Sequence, residues 1–189
     1  MNKNKLQTRD YVLMGLLSVI YGLIYLGAVY LGAFTTTALT PSGYGILGYE
    51  PYYGIWFMAA VTATYIIKKP LVGVVTEVIA ALIEVLLGNM FGPMVIVSGI
   101  IQGLGVELAF RMGGYKDYSY KTTMLAAVFC TIFTFLWTGF RNQYWTLDLS
   151  IVLMIFVIRL ISSLFFTGFL AKFICDKLYQ TGVISERAN

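Results

Sequence analysis

The sequence predicts an all-α membrane protein: six transmembrane helices with N-terminus and C-terminus both cytoplasmic, in a single integral membrane domain over residues 1–189. Three observations predict this. Hydrophobic residues make up 59% of the chain and charged residues only 12%, about half the charged share of a soluble domain. Six runs approach the roughly 20 apolar residues needed to cross a hydrocarbon core. The basic residues also fall on alternate loops, the pattern that orients a multi-spanning protein.

The runs cover residues 11–33, 52–67, 71–90, 94–112, 122–140 and 151–175. Backbone groups in lipid must bond internally, so each is read as a helix; segments such as Ala80-Ala81-Leu82-Ile83 are apolar on every face and show no barrel-like alternation. The first run has the basic start of a signal peptide and small residues at Gly32-Ala33, but it is far longer than a signal core. Lys3, Lys5, Arg9, Lys68, Lys69, Arg111, Lys116, Lys121, Lys172, Lys177 and Arg187 lie on one predicted side. Arg141 lies on the other, and Arg159 falls within a span. An even number of crossings with the basic side cytoplasmic follows.

The longest outer connection, residues 34–51, holds Pro41, Gly43, Tyr44, Gly45, Gly48, Tyr49 and Pro51, with Glu50 as its one charge. It reads either as a flexible connector or, given its aromatics, as a lid over an outer site. No internal repeat supports an inverted-repeat transporter. With no histidine there is no imidazole base, His-bound zinc or b-type haem, and the separate Cys130 and Cys175 make no CxxC pair. No catalytic, cofactor or metal site is predicted, and nothing points to nucleic acid.

Ionisable groups inside a bilayer mark sites, pathways or pairs. Glu77 and Glu84 are seven residues apart on one helix face, about 10.5 Å along the axis. Glu107 is one turn from Arg111, which suggests a structural pair that snorkels to the interface. Glu77 and Arg159 are read as a second structural pair. Glu84 precedes Gly88-Asn89 and the turn Phe91-Gly92-Pro93 near an outer end. There it can meet a polar solute arriving from outside; pairing with Arg159 is the alternative.

Asn89 and Gln102 add uncharged donors and acceptors. Tyr49, Tyr52, Tyr53, Trp56, Phe91 and Trp137 converge on the same predicted side as Glu84. Interfacial belts are the ordinary role of such residues, as for Tyr11, Tyr144 and Trp145. Flat faces beside a carboxylate also suit a planar or cationic heteroaromatic. In the first run, Gly15, Ser18 and Gly22 share a face that permits close helix contact. It serves either an intramolecular neighbour or docking of a partner.

The third and fourth runs carry a recognisable pattern. Glu77-Val-Ile-Ala-Ala-Leu-Ile-Glu84, then Gly88-Asn89 and Gly99-Ile-Ile-Gln102-Gly103-Leu-Gly105-Val-Glu107, resembles the YkoE family, as do Gly54-Ile-Trp56 and Lys69-Pro70. Many relatives carry Pro-Trp where this chain has Met90-Phe91, which keeps one aromatic. The resemblance implies a substrate-binding S component of an energy-coupling factor (ECF) transporter in a bacterial plasma membrane. It implies uptake of thiamine or its hydroxymethylpyrimidine (HMP) precursor, with partners comprising a membrane coupling protein and two cytoplasmic ATPase subunits. The chain lacks a GxxxxGK[ST] sequence and supplies no ATPase of its own. Glu84, Asn89, Gln102, Trp137, Trp56, Phe91, Tyr53 and Tyr49 are the expected ligand contacts. A purely structural subunit, or one for another heteroaromatic solute, is the competing reading.

Overall fold

The computed structural model describes residues 5–182 and 184; Lys3 and Arg187 of the predicted cytoplasmic charge set lie outside these. Among the described residues the fold is all helical. The α-helices are α1 (Thr8–Leu39), α2 (Met58–Ile67), α3 (Val72–Leu86), α4 (Met94–Met112), α5 (Tyr120–Arg141), α6 (Leu149–Ser163) and α7 (Ala171–Gln180). Four rods are long and apolar enough to cross a membrane: α1 with its short extension, α4, α5, and α6 running through a π-helical stretch, Leu164–Leu170, into α7. Apolar side chains cover their outer surfaces, including Leu16, Leu23, Phe34, Leu136 and Ile161, as a lipid-facing exterior requires.

The other two predicted spans are built differently. α1 continues six residues beyond the predicted end of the first run, which shortens the connection to two 3₁₀ turns, Thr40–Ser42 and Gly45–Leu47. The second run opens as an eight-residue 3₁₀ helix, Glu50–Phe57, and becomes α-helical only at Met58. At about 2.0 Å per 3₁₀ residue and 1.5 Å per α residue, residues 50–67 extend about 31 Å. α3 has only 15 residues, about 22 Å.

The break at Met58 leaves the first N–H groups of α2 without partners in their own helix. Neighbouring helices supply them. The Tyr25 hydroxyl on α1 accepts from Ala59 N at 3.0 Å, and Glu77 Oε2 on α3 accepts from Ala60 N at 2.8 Å. Tyr25 and Glu77 are fully buried beside each other, and every residue of α2 is buried. Glu77 therefore caps a helix that begins inside the protein, where the positive end of the α2 dipole favours a carboxylate.

Three sequence expectations are corrected by this packing. Glu77 does not pair with Arg159: its Oε2 is committed to α2, while Arg159 binds Glu50. Glu107 does not pair with Arg111 among the described residues. Both of its oxygens accept from Leu71 N, at 3.1 and 3.0 Å, and the Tyr115 hydroxyl donates to it. The lone N–H of a left-handed turn residue, Leu71 at φ 62°, thus outcompetes the adjacent cation. Ser18 and Gly22 are not a docking face. Ser18 Oγ donates to Met14 O and Thr76 O, and a Cβ on Gly22 would lie 2.7 Å from Ile83 Cγ2, so this stripe packs α1 on α3. Gly15 has nothing within 4 Å of where its Cβ would be and takes no part in that contact.

At the end of the bundle away from the α2 break, Lys69 Nζ bonds Asp10 at 2.8 Å and Lys5 O at 2.6 Å. This ties the start of α1 to the α2–α3 turn. Lys172 bonds Asp176 and the Tyr65 hydroxyl, joining α7 to α2.

Candidate functional site

A cavity of about 180 Å³ lies between the 3₁₀ segment, the ends of α3 to α5, and α6. Its wall along the 3₁₀ segment is Glu50, Tyr53 and Trp56. A 3₁₀ helix repeats every three residues, so these positions stand in one row. In an α-helix, at about 100° per residue, Trp56 would point about 120° away from Glu50. Local sequence and contacts favour the tighter helix. Pro51 lies in its first turn, and Gly54 passes so close to α6 that a Cβ would sit 2.7 Å from Ser162 C and Ser163 Cα. Gly54 N donates to Ser162 Oγ at 3.0 Å, and its carbonyl accepts from Thr167 in the π-helical stretch at 2.7 Å.

Glu50 and Arg159 form the fixed electrostatic feature of the wall. Arg159 Nε and Nη2 donate to the two Glu50 oxygens at 2.7 Å each. Nη1 donates to Thr138 at 2.9 Å and Nη2 to the Tyr144 hydroxyl at 3.3 Å. The guanidinium lies 3.7 Å from the Tyr53 ring centroid. With this planar fork so occupied, Arg159 holds the wall together and keeps at most one N–H for anything else.

Glu84 is the opposite case. It has no exposed surface, yet it lines the cavity. Oε1 accepts from Asn89 Nδ2 at 3.1 Å, and the Trp56 indole stands beside the carboxylate. Oε2 is buried without a hydrogen-bond partner. An unpaired carboxylate oxygen in a buried polar site costs free energy unless a donor occupies the space before it. Gln102 also lines the cavity, and its side-chain amide makes no hydrogen bond among the described residues. The open donors and acceptors therefore cluster at Glu84 and Gln102.

Of the eight residues expected to touch a ligand, Glu84, Gln102, Trp56, Phe91, Tyr53 and Tyr49 line this cavity, and Tyr49 and Phe91 meet edge to face at 5.1 Å. Asn89 and Trp137 do not line it. Asn89 is spent on structure: besides bonding Glu84, its Oδ1 accepts from Phe91 N at 2.6 Å and Gly92 N at 3.1 Å, shaping the α3–α4 turn. Trp137 donates its indole N–H to Ser98 Oγ at 3.0 Å, and Ser98 is the residue facing the cavity.

Sequence reasoning missed Glu50, Arg159, Thr138, Tyr144, Ser98 and Arg141 as cavity residues. Tyr144 is buried rather than interfacial, because its hydroxyl completes the Arg159 network. The one available signal was Arg159 itself, a guanidinium isolated in an apolar run and therefore in need of a partner.

The bundle thus combines an apolar exterior with an aromatic-walled cavity in which Glu84 keeps one oxygen unpaired, the build of a binding protein for a small polar ligand. Residues 9–133 match the family model for the permease component of ABC-type cobalt transport systems. The chain is 40% identical over 183 residues to YkoE of Bacillus subtilis (strain 168), provisionally named an HMP/thiamine permease protein; the match covers 96% of this chain and 89% of that protein. A crystal structure of an S-component of an ECF transporter superposes with a TM-score of 0.87 at 39% identity, covering 95% of this chain and 88% of that one. This chain belongs to the YkoE family of ECF-transporter S components, and it is a multi-pass cell-membrane protein.

Proposed function

We propose that this S component captures thiamine, or its HMP precursor, from the outer side of the membrane and passes it to an ATP-driven module. The observation that carries the substrate reading is Glu84, with one oxygen unpaired in a cavity walled by Trp56, Tyr53, Tyr49 and Phe91. Both compounds contain an aminopyrimidine, whose exocyclic amine supplies the donor that Glu84 lacks. Gln102 then answers the ring nitrogens, and the aromatic faces hold the planar rings or the thiazolium cation. The name of the B. subtilis relative supports the same substrate pair.

In this reading the chain crosses the membrane six times. The composite 3₁₀–α segment spans about 31 Å, and α3 crosses with help from its flanking turns. Basic residues at the end away from the cavity, such as Lys68, Lys69, Lys116 and Lys121, favour cytoplasmic termini. Residues 34–51 act as a lid, because Ile46 and Tyr49 reach the cavity from the connection after α1. The partners are a membrane coupling protein and two cytoplasmic ATPases.

Calorimetric titration of the purified protein with thiamine, HMP, riboflavin and Co²⁺ tests the substrate. Saturable binding of thiamine or HMP alone is expected. Binding of Co²⁺ alone would favour the metal in the family description, riboflavin alone another heteroaromatic solute, and silence to all four a structural subunit.

A further inference from the structure

Two electrically different groups line the cavity. Glu84 is buried, with its free oxygen. Arg141, with Asn142 next to it, is an exposed residue at the end of α5. Arg141 differs from Arg159 in every respect that matters for binding. Arg159 is buried, with four of its five N–H donors taken by Glu50, Thr138 and Tyr144. The ion pairs among the described residues are Lys69–Asp10, Arg159–Glu50 and Lys172–Asp176, and none uses Arg141. Its guanidinium stands 5.9 Å from the Trp137 ring centroid, and Trp137 is anchored on Ser98 of the cavity wall. It is also the sole basic residue in the connections at this end of the chain.

We infer that Arg141 is an anion-recognition residue at the cavity rim, and that the site takes the phosphate monoester of its alcohol ligand as well as the free alcohol. This rests on the aminopyrimidine reading of Glu84, with thiamine as the ligand. Thiamine carries its primary alcohol on the thiazolium ring, remote from the exocyclic amine of its pyrimidine. With the amine at the buried Glu84, that alcohol or its ester lies toward the exposed part of the lining, where Arg141 stands. A guanidinium stays charged at any physiological pH and meets phosphate through two parallel N–H donors. A phosphate monoester carries between one and two negative charges near neutrality. Asn142 supplies a further amide donor beside it.

The test compares thiamine with thiamine monophosphate by calorimetry on the intact protein, the Arg141→Gln variant and the Arg141→Lys variant. The ester should bind the intact protein. Arg141→Gln should weaken the ester about tenfold and thiamine less than twofold, with Arg141→Lys intermediate for the ester. The ester's advantage from Arg141 should shrink between low and high salt, as a rim charge requires. A lipid headgroup phosphate is the other source of the same chemistry. If Arg141 serves lipid instead, anionic-lipid nanodiscs will abolish ester dependence on Arg141 that is present in neutral detergent. That outcome, ester binding unchanged by Arg141→Gln, or thiamine binding without ester binding, overturns the inference and leaves the thiamine site standing. Failure of both compounds removes thiamine as the ligand, and this inference with it.

Discussion

Arg159 and Glu50, 109 residues apart in the chain, meet as a buried two-bond fork with both contacts at 2.7 Å. The pair fastens the 3₁₀ wall to α6 beside the cavity, with side chains only 1% and 4% exposed. Removing one partner strands a charge in a low-dielectric site. Glu50→Gln or Arg159→Met should each cost about 3–5 kcal/mol of stability. The double variant should recover much of that loss. Thermal unfolding of the four proteins in detergent checks the cycle, and simple additivity of the two single losses would contradict it.

Glu84 and Glu107 look alike in sequence but hold different posts. Glu107 is occupied by Leu71 N and Tyr115, whereas Glu84 keeps a free oxygen in the cavity. Glu84→Gln should therefore weaken thiamine by about tenfold or more, the loss of a charge-assisted hydrogen bond. Glu107→Gln should lower the melting temperature and leave affinity within twofold. Paired titration and melting data on both variants decide the matter; equal affinity losses would refute the ranking.

The capped start of α2 gives a third expectation. Tyr25→Phe strands Ala59 N, and Glu77→Leu strands Ala60 N. Each should destabilise by about 1–3 kcal/mol, with Glu77→Leu the larger. Hydrogen exchange should quicken locally at residues 58–60. Unchanged protection there would mean that these side chains do not cap the helix.

Two glycines on α1 separate packing from docking. Gly22→Val drives a branched side chain into Ile83 and the Ala80 carbonyl, while Gly15→Val meets open space. The first should cost about 1–3 kcal/mol by overpacking, the second almost nothing in the isolated subunit. Melting curves of the two variants provide the comparison.

Much of the bundle was legible because lipid leaves a chain few options: apolar runs of the right length become helices, and α4 spans Met94–Met112 as the composition alone requires. Glu84, Gln102 and four aromatics were legible as cavity residues because a polar group in an apolar run needs a reason. What stayed hidden depends on distance along the chain. Glu50 looked like a loop charge, since nothing local reveals that Arg159 turns toward it. Asn89 looked free because its turn-forming bonds to Phe91 and Gly92 exist only once α3 ends. The 3₁₀ start of the second apolar run was invisible for a similar reason: its apolar residues fit either helix, and the contact between Gly54 and Ser162 selects the tighter one.

That selection makes the segment a ruler with a spacing of three. Pro51→Ala, or any change that lets residues 50–57 relax into an ordinary α-helix, would improve backbone hydrogen bonding while rotating Trp56 off the line of Glu50 and Tyr53. The stretch is thus a place where local comfort and transport oppose each other: a better-folded strip of backbone would be a blunter instrument for recognising its cargo.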